Sequence, residues 1–134
     1  MKIIFTLLCA SFFLLFLSHC RKGGSTMRGY FWTRKNNGPY YLYINDTLKG
    51  TLPYQEQPPK CGDPDLDQKT RFVLLTSSTH YIEVRDQQGK TLLLEKYELE
   101  KNEHHFSLSV SMKTPNGRNQ HVISGNCSVE EIGF

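Results

Sequence analysis

Apolar and polar residues alternate in short stretches along most of this chain, and this pattern constrains its fold more than any other feature. The clearest example covers residues 105–113, where Phe106, Leu108, Val110 and Met112 are separated by serines. A period of two places successive side chains on opposite faces of a β-strand, so the apolar set can face a core. Because no stretch sustains a 3.6-residue period, the sequence predicts strands rather than helices.

Turn-forming residues divide the chain into short segments. Asn, Asp, Gly and Pro recur between the apolar stretches, where they tolerate the backbone angles of tight turns. Residues 92–102 also contain good helix formers, but the turn at residues 86–89 favours a strand that completes a hairpin. Strands are predicted over residues 30–35, 40–45, 48–53, 71–76, 81–85, 91–97, 105–113, 121–124 and 128–132. This all-β pattern predicts an antiparallel β-sandwich, with a small β-barrel as the alternative.

One of these predicted strands separates its apolar and polar residues cleanly. Ile82 and Val84 lie on one face of the strand, and Tyr81, Glu83 and Arg85 lie on the other.

The first 19 residues have the pattern of an export signal. Met1 and Lys2 provide a basic start, and residues 3–17 form an apolar run. A basic start followed by an apolar run of this length is typical of a secretory signal peptide. A transmembrane anchor is the alternative, but crossing the hydrocarbon layer takes about 18 or more apolar residues. This run is shorter, and charged residues follow it closely.

The end of the export signal resembles the bacterial lipobox, in which a cysteine becomes the lipid-modified first residue of the mature protein. The matching residues are 17–20, with the sequence Leu-Ser-His-Cys. The resemblance implies that Cys20 carries a lipid that anchors the chain in a membrane. His19 departs from the pattern, because Gly, Ala or Ser usually holds that position, and ordinary cleavage near Ser18 is the alternative.

Cleavage before Cys20 leaves one domain of modest size. Residues 1–19 form the predicted signal peptide, residues 20–29 the lipidated cysteine and a flexible tether, and residues 30–134 a single antiparallel β domain. The whole chain has 16 Lys and Arg against 13 Asp and Glu. This balance is too mild, and the charges are too scattered, to indicate nucleic-acid binding.

The cysteines of the predicted domain indicate one disulfide. Cys9 lies in the signal peptide and Cys20 is assigned to the lipid, which leaves Cys61 and Cys127. Two cysteines in an oxidising compartment most simply pair with each other, and both lie in loop-like surroundings. Two buried free thiols are the alternative.

A second resemblance concerns the domain itself. Residues 41–53 are similar to the hairpin of PEGA-type and carboxypeptidase-regulatory-like surface domains, in which a strand, a polar turn and Gly-Thr recur. Three further motifs extend the resemblance to small outer-membrane lipoproteins of Bacteroidota: Phe31-Trp32, Cys61-Gly62 and Gly125-Asn126-Cys127. The resemblance implies a β-sandwich with an adhesive or structural role in the cell envelope.

Aromatic residues are concentrated in the first two predicted strands. If these strands pair, alternation leaves an exposed face with Tyr30, Trp32, Tyr41 and Tyr43. Exposed Tyr and Trp provide contact area at low entropic cost, both in protein interfaces and on sugar faces. The four residues are therefore the candidate binding face, with a protein or a glycan as partner. Cross-strand aromatic packing that only stabilises the sheet is the alternative.

The sequence contains no arrangement typical of a metal site. His104 and His105 are adjacent and would point to opposite faces of a strand, and no histidine has zinc-type spacing. Asp63, Asp65 and Asp67 alternate as at the start of a calcium loop, but the required Gly and Glu are absent. A polar turn is predicted here, with a partial calcium site as the alternative.

Catalytic arrangements are also missing from the sequence. Gly-x-Ser-x-Gly is absent, and Glu130 and Glu131 are neighbours that diverge on a strand. We therefore expect a lipid-anchored envelope protein, on either side of the outer membrane, with a structural or binding role, no catalysis and no cofactor. The first alternative is a secreted inhibitor or enzyme accessory that binds a protein or glycan through the aromatic face or the Cys61 loop. The second is a small hydrolase whose site is assembled from distant residues.

Overall fold

The computed structural model describes residues 25–101, 106–112 and 120–134. The predicted signal peptide, Cys20, His104 and His105 lie outside the described residues. The elements, in chain order, are β1 (Thr26–Trp32), β2 (Tyr41–Ile44), β3 (Thr47–Thr51), α1 (Leu66–Lys69), β4 (Arg71–Thr76), β5 (Thr79–Arg85), β6 (Thr91–Lys101), β7 (Phe106–Met112), β8 (Gln120–Ser124) and β9 (Cys127–Glu131).

The strands form two sheets. The four-stranded sheet has the order β4-β1-β9-β8, and the five-stranded sheet has the order β3-β2-β5-β6-β7. The strand pairings are antiparallel except for β1 with β9, which run parallel. The two sheets do not close into a barrel. The prediction of an all-β sandwich is confirmed.

The main hydrophobic core lies between the two sheets, because alternate residues of each strand point inward. The largest fully buried apolar side chains of this core are Phe31, Tyr97, Met27, Leu42, Leu75, Ile82, Leu93, Leu99 and Ile132. Burying one side chain of this size contributes roughly 1.5–3 kcal/mol. Phe106 and Leu108 of β7 pack against the core while Ser107 and Ser109 are exposed, as the alternation predicts.

A second apolar cluster lies on the outer face of the four-stranded sheet. Tyr30, Trp32 and Val129 form its base, and Leu66 of α1 packs onto them. The connection between β3 and β4, residues 52–70, crosses this face, and we call it the disulfide loop. Its Cys61 is bonded to Cys127 of β9, so the predicted disulfide is present.

The start of β1 differs from the prediction. The strand begins at Thr26, so residues 26–29, which were predicted as part of the tether, belong to the sheet and pair with β4. Gly29 is a packing residue here, because a Cβ at this position would lie 2.9 Å from Phe31 and 3.1 Å from Leu75. A glycine needed for close packing and one that gives flexibility look the same in a sequence.

Two other elements test the predicted secondary structure. β6 continues as a strand to Lys101, so the helical alternative is wrong for residues 92–101. Asn102, which ended that alternative, lies outside the described residues. The short helix α1 was not predicted, and it lies inside the disulfide loop. Its four residues are too few to show a helical period in the sequence.

Removing the disulfide should destabilise the domain and uncover the second cluster. The bond joins residues 66 apart, and closing such a loop is worth about 4 kcal/mol in the chain-entropy model. Replacing both Cys61 and Cys127 with serine should therefore lower the free energy of unfolding by about that amount. Denaturant unfolding followed by circular dichroism measures this loss.

Trp32 gives an independent measurement, because it is the single tryptophan and is 1% exposed beneath the disulfide loop. Its emission should shift to the red in the double variant or after reduction of the native chain. An unchanged unfolding midpoint, together with unchanged emission, would contradict the role given to the bond.

Candidate functional site

The predicted aromatic face is divided between the two sheets. β1 pairs with β4 and β9, whereas β2 pairs with β3 and β5, so the expected pairing of the first two strands is wrong. Tyr30 is 6% exposed and Trp32 is 1% exposed, because the disulfide loop covers them. These two residues are therefore not part of an exposed binding face.

Tyr41 and Tyr43 lie elsewhere, half-buried on the outer face of the five-stranded sheet. Tyr43 is opposite Glu83 of β5, and Tyr41 is opposite Arg85. Tyr81, which alternates with Glu83 along β5, is 52% exposed on the same face. We call these five residues the aromatic platform.

An ion pair holds the centre of the platform. The Nε and a terminal nitrogen of Arg85 donate to the two carboxylate oxygens of Glu83 at 2.8 and 2.6 Å. The Thr91 hydroxyl donates a further hydrogen bond to Glu83. The guanidinium carbon of Arg85 lies 4.2 Å from the centre of the Tyr43 ring. A two-point ion pair combined with a cation–π contact fixes the orientation of both side chains.

The ion pair also sets the protonation of the platform. The hydrogen bonds from Arg85 hold the pKa of Glu83 below its ordinary value, and the Thr91 hydroxyl adds to this effect. The same pairing raises the pKa of Arg85. The two opposite charges lie side by side, so the platform centre is locally neutral.

Apolar and charged side chains surround this centre. Leu48 of β3 is opposite Tyr43 and is 51% exposed. Lys96 of β6 is opposite Tyr81 and forms an ion pair with Glu98, which raises the pKa of Lys96. An amphipathic surface of this kind can stack on the face of a sugar ring or receive apolar side chains of a protein.

A pair of acidic residues is buried inside the sandwich, away from the platform. Glu95 of β6 is 1% exposed and Glu130 of β9 is 0% exposed. Burial, together with these two glutamates, raises the pKa of Tyr97 well above its ordinary value. Ser128 donates a hydrogen bond to Glu130. These acids are closed to solvent, so they provide no accessible site for a substrate.

Neighbouring Glu131 points away from the core, as alternation predicts, and forms an ion pair with Arg34 at 3.0 Å. The burial of Glu95 was not predicted, because a glutamate among charged neighbours carries no signal of a core position. The inward positions of Leu93 and Leu99 on the same strand are the pattern that could have indicated it.

His80 and the aspartates of the disulfide loop have structural partners. His80 is 6% exposed, and its Nε2 lies 2.9 Å from the Thr76 carbonyl oxygen. Asp63 accepts a hydrogen bond from the Lys60 backbone at 2.9 Å, and Asp65 forms an ion pair with Lys69. Within the described residues, no group of three or more His, Cys, Asp or Glu is placed to hold a metal ion.

No family model matches the chain, and the curated proteins and solved structures compared with it contain no match. In the part of the chain that the structure describes, no helix is long and apolar enough to cross a membrane. The molecule is therefore classed by its own features: a two-sheet β-sandwich with a disulfide-fixed loop on one outer face and an aromatic platform on the other.

The platform ion pair should make stability depend on pH. Because the folded-state pKa of Glu83 lies below its ordinary value of 4.5, its ionised form contributes stability above about pH 4.5. That contribution is lost as the pH falls through the folded-state pKa. Glu83→Gln keeps the side-chain shape but removes the charge. The difference in stability between the native chain and this variant, called the stability gap, should therefore narrow from about pH 7 to about pH 3.

Thermal unfolding at a series of pH values measures this gap. Glu56→Gln, at an exposed glutamate of the disulfide loop, is the matched control and should show a small, constant gap. A gap for Glu83→Gln that stays equal at both ends of the pH range would contradict the role of the ion pair.

Proposed function

We propose that this protein is a lipid-anchored protein of the cell envelope that binds a partner through the aromatic platform and has no catalytic activity. The observation that carries the proposal is the platform itself. Tyr41, Tyr43 and Tyr81 share one outer face, and the Glu83–Arg85 pair fixes its centre. A rigid aromatic surface loses little conformational entropy when a partner binds.

The sequence of the first 20 residues supports export and anchoring through Cys20. The Cys61–Cys127 disulfide fits an oxidising compartment such as the bacterial envelope. The resemblance to small outer-membrane lipoproteins favours the outer membrane, on its periplasmic or its surface side. All three observations point to the same location of the domain.

A short tether would hold the domain close to the membrane. Five residues, 21–25, separate Cys20 from β1, and they span at most about 18 Å. Ser77, in the turn between β4 and β5, donates a backbone hydrogen bond to Ser25. Asn126, in the turn between β8 and β9, accepts one from Arg28. The start of β1 therefore lies between these two turns. The anchor would therefore direct this end of the sandwich toward the bilayer. The platform would then lie along the side of the domain.

The platform is suited to binding a glycan or a protein. An enzyme accessory would bind its partner through the same surface. An inhibitor that presents the Cys61 loop is less well supported, since such loops project from their scaffold. Here the disulfide and Leu66, which is 6% exposed, hold the loop flat against the sheet. A small hydrolase gains no support from the described residues, because the buried glutamates are closed to solvent and His80 is bonded within the fold.

Site-specific cross-linking tests the platform as the binding surface. A photo-reactive phenylalanine analogue replaces Tyr81 in cells that make the anchored protein. We expect an adduct with a discrete envelope component, which excess native domain should suppress and excess Arg85→Ala domain should not. The same analogue at Gln68, exposed on α1 beside the other sheet, is the control and should give no such adduct. Identical adducts at both positions, or none at Tyr81, would refute the platform proposal.

The lipid anchor is tested separately. Cys20→Ala should abolish palmitate labelling and release the protein from the membrane fraction, because the acylated thiol is removed. Cys9→Ala, a second cysteine of the N-terminal segment, is the matched control and should leave labelling unchanged. Membrane association that survives in the Cys20→Ala variant would argue against the anchor and leave the platform proposal standing.

A further inference from the structure

A groove of about 330 Å³ lies at the end of the sandwich opposite to the start of β1. One wall comes from the connection between β1 and β2, and the other comes from the turn between β5 and β6. Its volume falls at the lower end of the range found for small-molecule sites in proteins. The lining residues are Asn37, Pro39, Tyr40, Asp86, Gln87, Gln88 and Leu92, and none of them belongs to the aromatic platform.

Two exposed amide side chains, one on each wall, hydrogen-bond to groups of the groove. The Tyr40 hydroxyl donates to the Asn37 side-chain oxygen at 2.5 Å, which directs the Asn37 NH₂ group away from that bond. Gln87 donates through its NH₂ group to the Gly38 carbonyl oxygen at 3.3 Å, which leaves the Gln87 side-chain oxygen as an acceptor. The groove therefore offers donors from one wall and an acceptor from the other.

The charge of the groove disfavours anionic ligands. Asp86 is the one charged residue among those that line it. The Asp86 carboxylate accepts hydrogen bonds from the backbone of Gln88 and of Lys90, both at 2.9 Å, and so supports the turn. A carboxylate without a cation in the lining repels phosphate and sulfate, and a single carboxylate is a poor site for a divalent cation.

Apolar groups form the floor of the groove. Tyr40 is 8% exposed and packs edge-on against Phe134, with the ring centres 4.7 Å apart. Leu92 is partly buried against the core. A sugar ring presents an apolar C–H face together with hydroxyls that both donate and accept hydrogen bonds. A floor of Tyr40 and Leu92 between amide walls matches that combination.

We propose that this groove binds one or two residues of a neutral saccharide. The amide groups of Asn37 and Gln87 hydrogen-bond adjacent hydroxyls, with Gln88 as a further contact at the rim. The site is separate from the platform, and it is independent of the lipid anchor. It can operate whether the platform binds a protein or a longer stretch of the same glycan.

Binding is tested on the purified protein with four neutral probes: cellohexaose, maltohexaose, xylohexaose and N-acetylated chitohexaose. At least one should bind and shift the NMR signals of the Asn37 and Gln87 side-chain amides. Asn37→Ala and Gln87→Ala should each weaken that binding about three- to tenfold, the effect of losing one or two neutral hydrogen bonds. Gln88→Ala provides a third variant that leaves the Tyr40 and Gly38 contacts intact. Heparin, a polyanion, should not bind.

Gln68→Ala removes an exposed amide from α1 and is the matched control, with unchanged affinity expected. Loss of binding in the Asn37 and Gln87 variants, with native affinity in the control, supports the groove. If only Tyr81→Ala weakened saccharide binding, the saccharide would be assigned to the platform, and the groove proposal would be overturned. Failure of all four probes to bind, or equal losses in the control, would also overturn it.

Discussion

The Cys61–Cys127 disulfide determines which surfaces of this molecule are available. It fixes the disulfide loop across the outer face of the four-stranded sheet, where Leu66 packs onto Tyr30, Trp32 and Val129. Without that cover, two large aromatic side chains would face solvent. With it, the four-stranded sheet contributes a second apolar cluster to stability. The outer face of the five-stranded sheet carries the aromatic platform, while Phe72, Leu74 and Val122 stay exposed on the outer face of the four-stranded sheet.

Acidic residues are accommodated in this fold in two different ways. Glu83 lies on an outer face, where Arg85 and Thr91 bond its carboxylate and keep its pKa low. Glu95 and Glu130 lie inside the sandwich, where they add to the effect of burial in raising the pKa of Tyr97. Removing a charge from water is costly unless hydrogen bonds or opposite charges compensate for it. The Glu83–Arg85 ion pair can order a binding surface, whereas Glu95 and Glu130 are enclosed in the core.

Much of the fold could be predicted from local patterns, because alternation depends only on neighbouring residues. β4 covers residues 71–76 as predicted, and the pairing of Cys61 with Cys127 followed from counting cysteines. The candidate site could not be predicted in the same way. Its composition depends on which strand lies beside β2, and that neighbour is β5 rather than β1. Strand pairing across a long sequence separation is a property of the whole core, and no local signal in Tyr41 or Tyr43 specifies it.

The positions of the platform and the groove in the sandwich bear on how an anchored protein could use them. β1 begins at the end that a lipid on Cys20 would hold near the bilayer, beside the turn at Ser77. β5 runs from that turn to Arg85, so the platform extends along the side of the domain. The groove lies next to the platform, because its residues Tyr40 and Asp86 are chain neighbours of Tyr41 and Arg85. A linear polymer that approaches the free end would meet the groove first and could continue along the platform. A glycan bound at both proposed sites would have two contact areas, and linked contacts of modest strength can hold a polymer more tightly than either does alone.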